Sequence, residues 1–334
     1  MRAYHLTAPT LDALVRVDMP RPTAGPGEIL IRLGAASLNF LDLAVASGHF
    51  PVPAFPLIPV TDGAGTVEAV GEGVAGFNPG DRIIPHLMPQ WQGGTMTPEA
   101  IAMIRGVTAP GSLADFVVVP AAGAARAPAH LSVVEAAALP IAGTTAWNAV
   151  RAGRVRPGSV VVLQGTGGVS LLALQFAKAA GARVIITSSS DAKLERARAL
   201  GADETLNYRT TPDWASEVKR LTQGRGGDLI IETGGAETFA ASLEAAAIGG
   251  VVFVIGFLTG GVITAPVFPI LGKTLTLKGN NTGSVADFRD MLRAVETLRL
   301  RPVVDRVFPF EEARGAYEFQ ARGGHFGKLA IACD

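Results

Sequence analysis

The stretch VVLQGTGGVS at 161–170 constrains this chain more than any other: a continuous apolar run, a glutamine, then glycines at 165, 167 and 168 opening the apolar segment GVSLLALQFAKAAG. An uninterrupted apolar run reads as a strand buried on both faces, and the segment after it has helical spacing. A G-x-G-x-x-G turn between such elements lets backbone amides approach a pyrophosphate, with the helix N-terminus adding positive potential. Gly165 and Gly167 fill the first two glycine positions, while Ser170 takes the third, where the helix packs closely on the sheet and a serine is small enough. A glycine-rich tight turn alone would say little. Here the second strand-like run, RVIITSS, follows within about 20 residues, as a dinucleotide-binding unit requires. Gly165, Thr166, Gly167, Gly168 and Val169 are therefore the candidate phosphate cradle.

The rest of the chain organises around that unit. From residue 2 to about 120, short strand-like runs (EILIRLGAASL, GAGTVEAVG, DRIIP, LADFVVVP) are broken by Gly and Pro, the punctuation of an antiparallel, partly barrel-like domain. From about 155, apolar strands alternate with amphipathic helices, as in a parallel sheet covered on both sides. In TPDWASEVKRLTQG, Thr211 is the expected N-cap, with Pro212 in the first turn. The tail, from SVADFRDMLRAVETLRL to GKLAIACD, leaves the alternation and reads as a return to the first domain. The fold class is thus α/β, with a mostly antiparallel β domain over 1–122 and 283–334 and a doubly wound parallel-sheet domain over 123–282.

Lys plus Arg (29) balance Asp plus Glu (29), so no global field draws the chain to nucleic acid or anionic membrane. No apolar run approaches the length of a membrane span, and the N-terminal stretch carries Asp12 and Asp18 without an apolar core, unlike a signal peptide. Cys333 is the single cysteine, which excludes disulfides within the chain and any multi-cysteine zinc site. A cytoplasmic location follows as the expectation.

The end of the second strand discriminates between nicotinamide cofactors, because a carboxylate there holds the adenosine ribose of NAD. This chain has TSSS at 187–190, then Asp191 and Lys193. Ser188, Ser189 and Lys193 suit the 2′-phosphate of NADP better than a bare ribose, with Asp191 as a helix-start residue. Tyr208 is placed to reach the adenine side, or is simply a surface residue at a strand end. Gly256, Phe257 and Leu258 follow an apolar strand, where parallel sheets bind ligands; packing alone would also account for Phe257.

With these pieces in order, the segments PGEILIRLGAASLNFLDL, PVTDGAGTVEAVGEGVAGFNPGDRI, AAALPIAGTTAWNAV, GTGGVSLLALQFAKAAGARVI and HFGKLAI together resemble the medium-chain dehydrogenase/reductase superfamily, near its zinc-free quinone oxidoreductase-like branch. The likeness runs through essentially the whole chain. It implies a GroES-like catalytic domain built from both chain ends, a central Rossmann domain, an active-site cleft between them, and a homodimer joined through the sheet edge near VVFVIGF and TLTLKGN. Zinc-dependent relatives carry Cys where this chain has Asn39, His and Glu where it has Thr61 and Asp62, and Cys or Asp near Ala142. Their four-cysteine structural lobe is here MPQWQGGTMTPEAIAMIRGVTAPG. No metal is expected.

Hydride transfer to a simple carbonyl builds alkoxide charge that zinc ordinarily stabilises, whereas a quinone or an α,β-unsaturated carbonyl spreads that charge by conjugation. The expectation is an NADPH-dependent reductase of such conjugated acceptors. An alcohol or aldehyde dehydrogenase is the alternative, and a non-catalytic NADPH-binding protein the alternative of another class. Asn39 and Asp42 match the polar pair such reductases present beneath the nicotinamide; equally, Asn39 would cap a short helix and Asp42 would be its solvated side. His86, at the end of DRIIP, is the alternative acid, or a surface-loop histidine. Thr145 contacts the cofactor if the resemblance holds, in competition with a helix-capping role, and Lys328 is a candidate for cofactor phosphate. Met88 and Trp91 either wall a substrate cavity or pin down their segment.

Overall fold

The computed structural model describes residues 1–333, which divide into two compact units: 1–144 with 284 onward, and 145–283. In the first unit, β1 (Arg2–Leu6) and β2 (Leu14–Asp18) form a two-stranded ribbon. The long β3 (Glu28–Leu38) is followed by helix α1 (Phe40–Ala46), β4 (Asp62–Val70), β5 (Arg82–Pro85), β6 (Phe116–Pro120) and β7 (Ala124–Arg126), then α2 (Val133–Ala137) and α3 (Pro140–Ala152). β3 is the spine. Its first half pairs with β6, its last four residues pair antiparallel with the final strand, and β4 lies along its other side. Alternating apolar residues of β3, among them Ile29, Ile31 and Leu33, reach a core completed by Phe308, Phe310 and Tyr317 from the chain's end.

The second unit holds β8 (Val160–Gln164), α4 (Gly168–Ala179), β9 (Arg183–Ser188), α5 (Asp191–Ala199), β10 (Glu204–Asn207), α6 (Trp214–Leu221), β11 (Gly227–Glu232), α7 (Phe239–Ala245), β12 (Ala246–Val254), α8 (Phe268–Gly272) and β13 (Thr276–Gly279). All six strands are parallel, in the order β10-β9-β8-β11-β12-β13. That is the doubly wound arrangement in which the winding reverses between β8 and β11, so the ends of those two strands flank the ligand-binding position. The chain then returns to the first unit with α9 (Val285–Thr297), β14 (Val304–Phe308), α10 (Ala313–Ala321) and β15 (Lys328–Ala332), the last inserted between β14 and β3.

Two expectations need correction. The first unit extends to residue 144 rather than 122, because β7 pairs with β5 and α2 packs on β3 and β4; the second boundary falls within one residue of the expected 283. Thr211 does not cap α6. Asp213 does, accepting the Ser216 N–H at 3.2 Å. Among the described residues, no helix is long and apolar enough to cross a membrane.

Candidate active site

Asn39 stands at the junction of β3 and α1, the N-cap position, in a capping-box arrangement with Asp42 whose firm half is the Asp42 side chain, the Asn39 side chain itself making no close cap hydrogen bond. Asp42 instead takes the Asn39 backbone N–H at 2.7 Å and, through its other oxygen, the Thr61 N–H at 2.8 Å. Asp42 is buried, not solvated, and burial pushes its carboxyl above the ordinary range against the pull of the Thr61 and Asn39 amides. The Asn39 carboxamide is thereby released for other partners. Its Nδ2 donates to Asp62 Oδ2 at 2.9 Å and Thr61 Oγ1 at 3.2 Å, and its Oδ1 accepts from Lys328 Nζ at 2.5 Å.

Asp62, the first residue of β4, is fully buried and used on one side only. Oδ2 accepts from Asn39 and from the Ile141 N–H at 3.2 Å, in the first turn of α3, and lies 3.9 Å from Lys328 Nζ. Oδ1 has no partner. Burial raises this carboxyl to about 6, with Lys328 and Asn39 opposing. A proton on the carboxyl would sit on Oδ1, since donors already approach Oδ2.

Lys328 was expected at a cofactor phosphate; the structure instead buries it at the start of β15, donating to Leu38 O at 2.7 Å and to Asn39. Burial lowers its pKa, opposed by Asp62 and Asp42. A second buried cation, Arg105, belongs to the segment that replaces the four-cysteine lobe. Its Nη2 donates to Ser112 Oγ at 2.9 Å, its Nε has no partner, and burial lowers its pKa to about 10 while Asp62 opposes. Sequence reasoning missed both Arg105 and the central place of Asp62. The one available signal was two cations, in MIRGVT and GKLAI, within otherwise apolar surroundings.

His86 is neither a surface residue nor a poised acid. It is fully buried against Phe288, its Nδ1 faces Met88 N and O at 3.2 Å, and burial lowers its pKa to about 4, leaving it neutral. Met88 is buried too, and Trp91 anchors its segment, its carbonyl accepting the Val285 N–H at 2.8 Å. Thr145 lies inside α3 rather than at a helix start, so a capping role is removed.

In the second unit the glycine loop has the geometry the sequence predicts. Gly165 sits at φ 70°, a left-handed conformation that suits glycine; a Cβ at Gly165 or Gly167 would meet nothing within 4 Å, so the space over the loop is open. Gly167 is the N-cap of the twelve-residue α4, whose first turn has no side-chain cap, leaving the half-buried Gly168 and Val169 at the helix start. Ser170, in the third glycine position, is buried and donates to Gln164 O at 2.7 Å. This is a cradle that fits a diphosphate.

At the end of β9, Ser188 is buried and Ser190 caps α5, its Oγ accepting the Lys193 N–H at 3.5 Å. Asp191 is held by Asn207 at 2.7 Å, and Tyr208 is 43% exposed just beyond β10. No carboxylate ends the strand. Across the switch point, the sequence reading overlooked Glu232, the fully buried last residue of β11. Its carboxylate accepts from Gly234 N (2.8 Å), Gly235 N (2.9 Å), Thr238 Oγ1 (2.5 Å), Gln164 Nε2 (2.7 Å) and Ser242 Oγ. Gln164 Oε1 in turn accepts Thr233 N and Gly234 N, tying the loop after β11 to the glycine loop. Gly256 follows β12 so closely under that loop that a Cβ would lie 1.7 Å from Thr233 O. Its amide is spent on Glu232 O at 3.2 Å and is not free for a carboxamide; Phe257 and Leu258 beyond it are exposed.

Residues 25–129 match the alcohol dehydrogenase GroES-like domain, and residues 168–297 match the zinc-binding dehydrogenase family. A zinc-type alcohol dehydrogenase-like protein of Schizosaccharomyces pombe is 43% identical over 317 residues, 92% of each chain. The chain belongs to the medium-chain dehydrogenase/reductase superfamily. Among solved members, an NAD-dependent alcohol dehydrogenase is 38% identical with TM-score 0.90, covering 99% of both chains. A quinone oxidoreductase of Pseudomonas syringae pv. Tomato is 27% identical with TM-score 0.84, again over 99% of both. As a superfamily member the chain is an oxidoreductase.

The name zinc-binding raises the question of fit. At the position zinc-dependent members use, this member offers an amide whose NH2 points at the single carboxylate, and an ammonium 3.9 Å from that carboxylate. Among the described residues no three His, Cys, Asp or Glu side chains converge. Amide and ammonium hydrogens facing inward repel a dication, so this donor set does not fit zinc.

Proposed function

We propose that this chain is an NADPH-dependent oxidoreductase that delivers hydride to a quinone or an α,β-unsaturated carbonyl without a metal ion. The observation that carries the reading is the buried Asn39–Asp42–Thr61–Asp62–Lys328 cluster, polar and charged but closed to a cation, standing where zinc-dependent members hold theirs. With no Lewis acid to gather oxyanion charge, an acceptor that spreads the charge by conjugation is the better match. The Pseudomonas relative's description as a quinone oxidoreductase agrees with that preference.

The dinucleotide, when bound, supplies the hydride. The chain's own residues do the rest. Gly165 to Val169 and the α4 N-terminus hold the diphosphate, while Ser188, Ser189 and Lys193 face the adenosine phosphate, Tyr208 the adenine, and Thr145, Phe257 and Leu258 the nicotinamide end, with Gly256 packed beneath the loop after β11. Strand β9 ending without a carboxylate favours NADP over NAD. In the first unit, Asn39 and Asp42 shape the acceptor's surroundings, and the unpartnered Asp62 Oδ1 holds or moves a proton. His86, neutral and turned inward, is released from that role.

Oxidation of an alcohol is the second reading, favoured by the 43% identity to an alcohol dehydrogenase-like protein. Asp62 Oδ1 would then accept the hydroxyl proton. NADPH consumption against quinones, enones, aldehydes and ketones, with alcohol oxidation run in parallel, separates the two. Turnover of alcohols alone, abolished by chelation, rejects the proposal; so does an absence of turnover with bound NADPH.

The chain is also proposed to act as a homodimer. β13 is the outermost strand and exposed along its length, with Leu277 41% accessible and Phe268 and Leu271 of nearby α8 at 81% and 64%. A second copy added along that edge satisfies its free backbone groups and covers the apolar side chains. Light scattering at working concentration tests it, and a monomer would refute it.

A further inference from the structure

We propose that Lys328 is a positioning residue of the active site: its buried ammonium fixes the Asn39 carboxamide so that Asn39 grips Asp62 by one oxygen and leaves the other for the substrate's oxygen. The inference deepens the metal-free hydride-transfer reading and rests on it for its chemistry, though not for its geometry.

An ammonium has only hydrogens to offer, so the atom of Asn39 that faces it at 2.5 Å is the carbonyl oxygen. That fixes the other end of the amide: Nδ2 points to Asp62 Oδ2 at 2.9 Å and Thr61 Oγ1 at 3.2 Å. Without Lys328 the same amide is free to turn, its Oδ1 drawn toward the first-turn amides of α1 as an ordinary N-cap. Asp62 would lose its side-chain donor on Oδ2, and its two oxygens would no longer be distinguished.

The register of the sheet holds Lys328 in place. Leu329 pairs with Leu38 across β15 and β3, which brings Nζ to Leu38 O at 2.7 Å. A lysine present only to neutralise Asp62 should make its shortest contact with the carboxylate. Here that contact is the longest of three, 3.9 Å against 2.7 and 2.5 Å. The ammonium is aimed at the amide.

The test uses the full-length protein with Lys328→Met, Lys328→Arg and the double variant Lys328→Met/Asp62→Asn, in which both members of the buried pair become neutral. Fluorescence titration with NADPH is expected to give the wild-type affinity in all three; a tenfold loss in Lys328→Met would reassign the residue to cofactor phosphate and overturn the proposal. For the substrate the wild type turns over, kcat should fall about 10- to 100-fold in Lys328→Met with the KM for NADPH unchanged, and Lys328→Arg should recover part of it. The double variant should stay low. That low value follows from Asp62→Asn alone, so the kinetic decision rests on the single variants: a wild-type kcat in Lys328→Met would mean that the ammonium does not position the amide, and the proposal fails. The side-chain amide resonances of Asn39, identified by their loss in Asn39→Ala, give a readout independent of activity. They should move in both Met-containing variants, and unchanged resonances would overturn the proposal. If the wild type reduces none of the panel, the functional reading falls and the amide resonances still decide the role of Lys328.

Discussion

The two units each bury one carboxylate at a strand end, and they treat it in opposite ways. Glu232 receives five donors, its last partners drawn from the neighbouring strand end and the following helix. Asp62 receives donors on one oxygen and none on the other. A saturated buried anion holds loops in place and has nothing left to give; a half-saturated one costs stability and keeps an oxygen for chemistry. Satisfaction, more than burial or charge, separates a carboxylate that only holds structure from one left with a free oxygen.

The contrast breaks first at Glu232. Glu232→Ala removes the acceptor shared by five donors, only some of which keep a second partner, and should cost about 4 kcal/mol of unfolding free energy. Chemical denaturation checks this, and a loss below 1 kcal/mol would mean that the clamp is incidental. Asp62→Asn keeps the shape and an oxygen for Asn39 and Ile141, so the melting temperature should hold while kcat drops about 100-fold. A variant that unfolds while its folded fraction stays fully active would reverse the two assignments.

The pH dependence sharpens the same contrast. The Asp62 carboxyl is raised in the folded chain to about 6, so between the unfolded value near 4 and that point the folded state binds the extra proton. The associated stabilisation is full below the unfolded pKa and is lost as pH climbs through about 6, an effect of about 2–3 kcal/mol. Lys328, Asp42 and Arg105 are the charged groups that act on it. Thermal melts from pH 4 to 7 should show this slope in the wild type and lose it in Asp62→Asn; carbonyl reduction should slow over the same range. The smallest effect belongs to His86. Being neutral already, it should leave the pH profile of kcat unmoved when changed to Gln, with kcat within about twofold.

Much of this was legible beforehand, for reasons local to the chain. The glycine turn, the apolar strands and the missing carboxylate after RVIITS lie in single short segments, so the parallel sheet and the glycine turn between β8 and α4 could be read directly. Asn39 and Asp42 were found because they are three residues apart. Their partners were not: Lys328 lies 289 positions from Asn39 and joins it only through the register of β15 on β3. The boundary near residue 122 failed because α2 and α3 are as apolar as Rossmann helices, and the three-residue strand β7 that closes the first sheet leaves almost no pattern. Glu232 did leave one, an acidic residue ending the apolar run DLII before two glycines, and a buried charge at a strand end next to a ligand loop is worth marking in any such sheet.

The start of α1 is closed chiefly by Asp42, which leaves the Asn39 carboxamide to Asp62 and Lys328. Serine in place of Asn39 would keep that turn capped but lose the grip on Asp62. Heat resistance would barely register such a change, so a screen that rewards it alone would let the arrangement around Asp62 drift unseen.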